Sequence, residues 1–116
     1  MVNSRNKGKR GEREVASLFR DAGFSGARRT QQYSGTEGTS DVTVPELGRL
    51  HVEVKWRQRQ AVRQWMWQAL SDKRDGQTPL VVHRDNNSEW LATMPLADLF
   101  EILREAADLL WEGSGE

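Results

Sequence analysis

Apolar residues near the N-terminus recur at the spacing of one helical face, which predicts an amphipathic helix from about Gly11 to Gly23. The apolar positions are Val15, Leu18, Phe19 and Ala22. Glu12 falls on the same face, where burying a charged carboxylate is unfavourable unless another interaction compensates for it. Either it contributes to a functional site, or its charge suits the positive end of the helix dipole.

The two segments 41–44 and 50–56 alternate between apolar and polar residues, and they predict a β-hairpin. In the second strand, His51, Glu53 and Lys55 share one face. A five-residue loop would place Asp41 directly opposite Glu53, with Cβ atoms about 5 Å apart. A four-residue loop would shift the register by one residue and separate the two carboxylates, unless a bulge restored the pairing.

The rest of the chain predicts two more helices and three more strands. A short strand falls within residues 24–30, helical spacing covers 60–74, and strand patterns cover 79–83 and 89–93. A last helix begins near Pro95, and we expect its wide apolar stripe to dock on the sheet. This stripe contains Leu96, Leu99, Phe100, Leu103, Ala106, Ala107 and Leu110. The expected fold class is therefore α/β (α+β), with the order αβββαββα.

Length and composition narrow the class of protein. The 116 residues predict a single domain, 1–116, with residues 1–6 and 113–116 flexible. We find no apolar run that could span a bilayer and no secretory signal pattern, so we expect a cytoplasmic protein. The chain has no cysteine and two histidines, which excludes disulfides and a Cys/His zinc site.

The formal net charge of zero conceals an asymmetry between the two halves of the chain. Residues 1–63 carry 13 Lys and Arg against 7 Asp and Glu, a balance of +6. Residues 64–116 carry 4 against 10, a balance of −6. A basic half suggests a surface for nucleic acid, although a solvated charged face is the alternative.

Asp41, Glu53 and Lys55 are the candidate chemistry of the hairpin. Two carboxylates so close together require a cation, and oxygen ligands without clustered Cys or His favour Mg²⁺. With Lys55 to position the attacking water, such a site suits phosphodiester hydrolysis. A Glu-x-Lys on a strand is more commonly an ion-paired, solvated face of a sheet, and these residues alone leave that alternative open.

A wider set of residues resembles a known family. In chain order they are Lys7-Gly8, Glu12-Arg13-Glu14 at the start of a helix, Arg28, Ser34-Gly35, Asp41 and Glu53-Val54-Lys55. Together they are similar to the archaeal-type Holliday junction resolvases of the PD-(D/E)XK nuclease superfamily. The resemblance implies a restriction-endonuclease-like fold, with a mixed five-stranded sheet flanked by helices. One departure is Ser40, which stands before Asp41 where the superfamily's name has Pro.

The resemblance also implies a function and a site. It implies a homodimeric, metal-dependent endonuclease that resolves four-way DNA junctions, with Mg²⁺ as the cofactor and Mn²⁺ as its substitute. The implied metal ligands are Glu12, Asp41, Glu53 and Val54; the catalytic lysine is Lys55, and Ser34 is a loop serine near the scissile phosphate. Two alternatives stay open: another nicking, repair or restriction-type nuclease of the superfamily, or a DNA-binding protein with an inactive nuclease site.

Several further residues are candidates for supporting roles. Gln68 lies either beside the site or on an exposed helix surface, and His51 is more often solvated or hydrogen-bonded than a ligand. Trp67 and Trp111 fall off the core positions and are candidate dimer contacts; the alternative for Trp67 is a half-covered amphipathic side chain. Phosphate contacts are expected from the basic residues Arg5, Lys7, Lys9, Arg10, Arg13, Arg28, Arg29, Arg57, Arg59 and Arg63.

Overall fold

The computed structural model describes residues 4–31 and 40–112, and the side chains described are those of 6–31 and 40–109. Its elements, in chain order, are helix α1 (Ser4–Asp21), strand β1 (Arg28–Arg29), strand β2 (Val42–Thr43), a 3₁₀ helix (Pro45–Leu47), strand β3 (Leu50–Trp56), helix α2 (Val62–Asp72), strand β4 (Thr78–Arg84), strand β5 (Leu91–Thr93) and helix α3 (Leu96–Glu112). This sequence of elements confirms the predicted order αβββαββα.

The five strands form one mixed sheet in the order β1-β2-β3-β4-β5. β3 and β4 are parallel, because α2 carries the chain back across the sheet between them, and the other neighbouring pairs are antiparallel. A mixed five-stranded sheet with three helices is the restriction-endonuclease-like fold that was expected.

The register of β2 on β3 decides whether the two hairpin carboxylates meet. Val42 pairs with Val52, so the next pair outward is Asp41 and Glu53. This is the register predicted for a five-residue connection, and the short 3₁₀ helix Pro45–Leu47 fills that connection. Of the two registers that the sequence left open, the structure therefore has the one in which the two carboxylates meet.

The two faces of the sheet are covered by different helices. α1 packs on the face that contains Val42, Val52 and Val54, and α2 packs through Trp65 and Ala69 on the face that contains Val81. Glu53 is the register partner of Val81, so its side chain lies on the α2 side. Both faces of β3 are therefore buried, in contrast to the solvated outer face that a lone Glu-x-Lys would favour.

Helix α1 begins earlier than the apolar spacing predicted. It starts at Ser4 instead of near Gly11, so residues 4–6 belong to the helix. Its end agrees with the prediction: Gly23 has a φ of 111°, and the amide of Phe24 donates to the carbonyl of Phe19 over 3.0 Å. This is the left-handed glycine arrangement that closes many helices.

The packing predicted for α3 is wrong, although the helix itself is present. Leu96, Leu99, Phe100 and Leu103 are exposed, and Phe100 is 55% exposed. In the described part of the chain, α1 and α2 pack on the two faces of the sheet. α3 is instead tied to the body by Arg49, whose guanidinium lies 3.0 Å from Glu105 and 3.7 Å from Glu101. None of the described helices is long and apolar enough to cross a membrane.

Candidate active site

The centre of the site is the carboxylate pair formed by Asp41 and Glu53. Asp41 lies at the start of β2, and its Oδ2 accepts a hydrogen bond of 2.8 Å from the backbone amide of Val54. Glu53 lies in the middle of β3 and is only 4% exposed. The hairpin register brings the two side chains into hydrogen-bonding contact, so two acidic groups share one small, poorly hydrated space.

The pKa values of these two carboxyl groups move in opposite directions. Burial, followed by the charge of Glu53, raises the pKa of Asp41 to about 8. Burial also opposes ionisation of Glu53, but hydrogen bonds from His51 and Asp41 outweigh it and lower the pKa of Glu53. Burial and mutual repulsion therefore disfavour a pair with two negative charges, and the Asp41–Glu53 hydrogen bond favours one proton shared by the pair.

His51 lies two residues before Glu53 on β3 and is hydrogen-bonded to the Glu53 carboxylate. Its ring is fully buried, and its Nε2 lies 3.2 Å from Oε1 of Glu53. A carboxylate oxygen accepts, so Nε2 carries the hydrogen. Within the described part of the chain, Nδ1 of this ring is buried without a hydrogen-bond partner. Of the two expectations for His51, solvated or hydrogen-bonded, the structure has the second, and its partner is a carboxylate of the candidate site on the same strand face.

Lys55 extends the site along β3 on the α2 side. Its Nζ donates a hydrogen bond of 3.2 Å to Oε1 of Gln68, which projects from α2. Its register partner on β4 is His83, whose Nδ1 lies 2.8 Å from Oε1 of Gln60. Burial lowers the pKa of His83, so this neighbour of Lys55 is neutral. The structure thus brings Gln68 into contact with the candidate lysine, and the positive charge of Lys55 contributes to the lowered pKa of Glu53.

Glu12 has a different environment from the Asp41–Glu53 pair. Its Oε1 accepts a hydrogen bond of 2.6 Å from Nε of Arg29, and both side chains are partly buried. Arg29 is the register partner of Val42, so this ion pair lies on the α1 side of the sheet. The charge of Glu12 reaches Asp41 only as a minor contribution, after burial and Glu53, to the raised pKa.

The donor set fits a hard divalent ion. Among the described residues, no three His, Asp or Glu side chains are close enough together to hold a metal ion by themselves. Mg²⁺ does not need three, because it keeps several waters and binds through one or two carboxylates together with substrate phosphates. Asp41 and Glu53 supply those carboxylates. Val54 could offer only its backbone carbonyl, and its amide already holds Asp41 in place.

Three candidate residues fall outside what the structure describes: Ser34, and the side chains of Arg5 and Trp111. The remaining basic candidates separate into groups. Lys7 and Arg10 lie against Trp56, Arg29 pairs with Glu12, and the others are exposed. These others are Lys9, Arg13, Arg28, Arg57, Arg59 and Arg63. Trp67 is 66% exposed, as expected for a side chain off the core face of its helix.

The fold and the paired carboxylates with a lysine two residues further along the strand define the PD-(D/E)XK class of nuclease. The sequence profile of a family described as "Phage putative PDDEXK endonuclease" matches residues 3–113, so the chain belongs to this family. The match supports the superfamily that the resemblance implied, and it does not single out the archaeal-type junction resolvases. Comparison with curated proteins and with solved structures gave no match. Nucleases of this superfamily generally use divalent metal ions.

Proposed function

We propose that the protein is a divalent-metal-dependent DNA endonuclease whose substrate is a four-way junction. The observation that supports hydrolysis is the Asp41–Glu53 pair, with Lys55 two residues beyond Glu53 on the same strand. A divalent ion held by these carboxylates would supply a water of lowered pKa and would neutralise charge on the phosphoryl oxygen. Family membership supports an endonuclease, and the resemblance to junction resolvases motivates the branched substrate.

Each residue of the proposed site has a defined role in this proposal. Asp41 and Glu53 bind the metal ion, and His51 fixes the orientation of the Glu53 carboxylate through its Nε2 hydrogen bond. Lys55 orients the attacking water and places a positive charge beside the cleaved phosphate. Gln68 restricts the position of the Lys55 ammonium group by accepting one of its hydrogens. Glu12 and Ser34 remain proposed members of the site.

We propose Mg²⁺ as the physiological ion, with Mn²⁺ able to replace it. Both are hard ions that bind carboxylate, phosphate and water oxygens, so Asp41 and Glu53 would suit either ion together with a substrate phosphate and waters. The chain contains no cysteine, and both histidines have hydrogen-bond partners in the structure, so a soft thiolate or histidine-rich site is not favoured.

A homodimer is the proposed assembly, because resolution of a junction requires two coordinated cuts in opposed strands. Exposed apolar side chains support it. Trp67 is 66% exposed on α2, and Leu96, Leu99, Phe100 and Leu103 of the α3 stripe are also exposed. Contiguous exposed apolar surface of this kind marks interaction sites in soluble domains.

The experiment that tests the function compares two DNA substrates. A labelled four-way junction and a linear duplex of matched sequence are incubated with the protein in Mg²⁺, in Mn²⁺ and in EDTA. We expect paired symmetric cuts in the junction, little cutting of the duplex and none in EDTA. Equal cutting of both substrates would favour the restriction-type or nicking alternative. Binding without cutting in either metal would favour the inactive DNA-binding protein.

A further inference from the structure

Three basic side chains converge on the indole ring of Trp56. Nζ of Lys7 and Cζ of Arg10, both from α1, lie 5.4 Å from the ring centroid. Cζ of Arg84, at the end of β4, lies 4.6 Å from it. The negative face of an indole attracts cations at such distances, so the ring holds together three like charges that would otherwise repel one another. We call Lys7, Arg10, Trp56 and Arg84 the Trp56 cluster.

The cluster is held in place by neighbouring groups. Nε1 of Trp56 donates to Oδ1 of Asn86 over 3.1 Å, and Nζ of Lys7 donates to the same oxygen over 2.7 Å. Trp90 packs edge-to-face on Trp56 with the ring centroids 5.9 Å apart. Lys7 and Arg10, which lie one helical turn apart on α1, can therefore present their positive charges on a fixed ring, so that little entropy is lost when an anion binds.

The positive charge of the cluster is only partly compensated. Arg84 lies 3.3 Å from Glu14, which also accepts a hydrogen bond from Nε1 of Trp90. Within the described part of the chain, neither Lys7 nor Arg10 forms a salt bridge with a carboxylate. The cluster thus keeps a surplus of positive charge on a rigid aromatic base, and a phosphate would both relieve the repulsion and release condensed counterions.

The position of the cluster relates it to the proposed active site. Trp56 follows Lys55 directly on β3, so both lie at the same end of the sheet. Lys55 faces α2, whereas Trp56 lies on the α1 side, where Gly11 of α1 approaches its ring. A DNA strand laid across this end of the sheet would meet both faces.

We propose that the Trp56 cluster binds a backbone phosphate of the DNA on the α1 side of the cleaved position; this rests on the proposed nuclease function. The ligand is a phosphate and not a stacked base, because the cations and Trp90 already cover the indole. The contact is independent of sequence and fixes how the strand enters the site.

The test measures DNA affinity as a function of salt in EDTA, so that cleavage plays no part. The variant carries Lys7→Ala with Arg10→Ala, and the matched control carries Lys73→Ala with Arg104→Ala, which removes the same two charges elsewhere. Fluorescence anisotropy with a labelled duplex gives the slope of log affinity against log salt. We expect the cluster variant to have a slope shallower by about 1 to 2, and the control to keep the wild-type slope.

A variant of the ring separates the platform from the charges. Trp56→Phe keeps an aromatic face and should keep most of the affinity, whereas Trp56→Leu should lose affinity as the double variant does, with folding checked by circular dichroism. Wild-type affinity and slope in the double variant would overturn the phosphate site, even if the protein cuts junctions. The converse result, a changed slope in a protein that cuts no DNA, would refute the nuclease function and leave the phosphate site standing.

Discussion

Nε of Arg29 lies 2.6 Å from Oε1 of Glu12, so the carboxylate that resembles a metal ligand is engaged by a cation of the neighbouring strand. The oxygen that accepts from Arg29 has one fewer lone pair for a metal ion. The charge of Arg29 predicts a phosphate contact, and its ion pair also makes Arg29 a competitor of a metal ion for Glu12.

Replacing Arg29 should therefore tighten metal binding if Glu12 is a ligand. We expect Arg29→Gln to raise the affinity for Mn²⁺ about fivefold, which corresponds to about 1 kcal/mol. Calorimetric titration without DNA measures this, and Arg28→Gln is the control, since Arg28 bonds only to the carbonyl of Gly26 among the described residues. If Glu12→Gln binds Mn²⁺ as tightly as the wild type does, Glu12 is not a ligand.

The proposed chemistry depends on three side chains. We expect Asp41→Asn, Glu53→Gln and Lys55→Ala each to slow junction cleavage by at least about 100-fold, because the two carboxylates would hold the metal ion and Lys55 would place a positive charge beside the reacting phosphate. Junction binding in EDTA should persist, since affinity comes from the basic surface. Gel-shift and cleavage assays on the same preparations test both statements.

The controls for this series change the same residue types elsewhere. Asp108 lies on α3, and Lys73 directly follows α2. The Asp108→Asn and Lys73→Ala variants should both cleave junctions at the wild-type rate. A near wild-type rate in any of the three site variants would remove that residue from the proposed chemistry.

Sequence reasoning offered the carboxylate pair as one of two possible registers, because strand parity and loop length decide which side chains meet. The observed register pairs Val42 with Val52, and a shift by one residue would have placed these two valines on opposite faces. The pattern could not find the partner of Glu12. Arg29 lies 17 residues away, on a two-residue strand whose position depends on pairing with β2.

The error at α3 has a related cause. Its apolar periodicity is genuine, but periodicity states only that one helical face avoids water and does not state what covers it. Leu96 and Leu103 are exposed because the faces of the sheet are occupied by α1 and α2. Which helix takes which face is decided by connection lengths and by the burial of β3 on both sides.

The raised pKa of Asp41 predicts a pH-dependent cost to folding. Burial lifts this pKa from 3.8 to about 8, so between these values the folded state holds a proton that the unfolded state has lost. The contribution of Asp41 therefore becomes less favourable as pH rises from about 4 to about 8. Asp41→Asn removes this ionisation, and its amide can still accept from Val54 and donate to Glu53.

We accordingly expect Asp41→Asn to be more stable than the wild type by about 1–3 kcal/mol near pH 8, with a smaller difference near pH 5. Urea unfolding in EDTA at the two pH values measures the difference. Comparison with the wild type cancels the other titrating groups. A difference that does not grow with pH would show that Asp41 is ionised in the folded protein at neutral pH.

Gly11 provides a test of the packing between α1 and the tryptophans. An added Cβ would lie 3.5 Å from atoms of both Trp56 and Trp90, which is ordinary contact, whereas at Gly8 nothing lies within 4 Å. Gly11→Ala and Gly8→Ala should each stabilise the helix by up to about 1 kcal/mol. Gly11→Leu should destabilise the protein by about 1–3 kcal/mol, whereas Gly8→Leu should not destabilise it. Urea midpoints that tolerate leucine equally at both positions would refute this close packing.

The proposed homodimer makes a prediction about exposed apolar residues. If α2 and α3 form a two-fold interface, then removing Trp67 or placing a charge at Leu103 should dissociate it, because aromatic anchors and buried apolar contacts dominate such interfaces. Sedimentation velocity at micromolar concentration should give a dimer for the wild type and a monomer for Trp67→Ala and Leu103→Glu. Leu18→Ala, an exposed apolar residue on α1, is the control and should remain dimeric. A monomeric wild type that still cuts junctions symmetrically would refute the dimer. If the Trp67→Ala and Leu103→Glu variants remain dimeric, the interface lies on another surface. Trp111→Ala is then the next variant to examine.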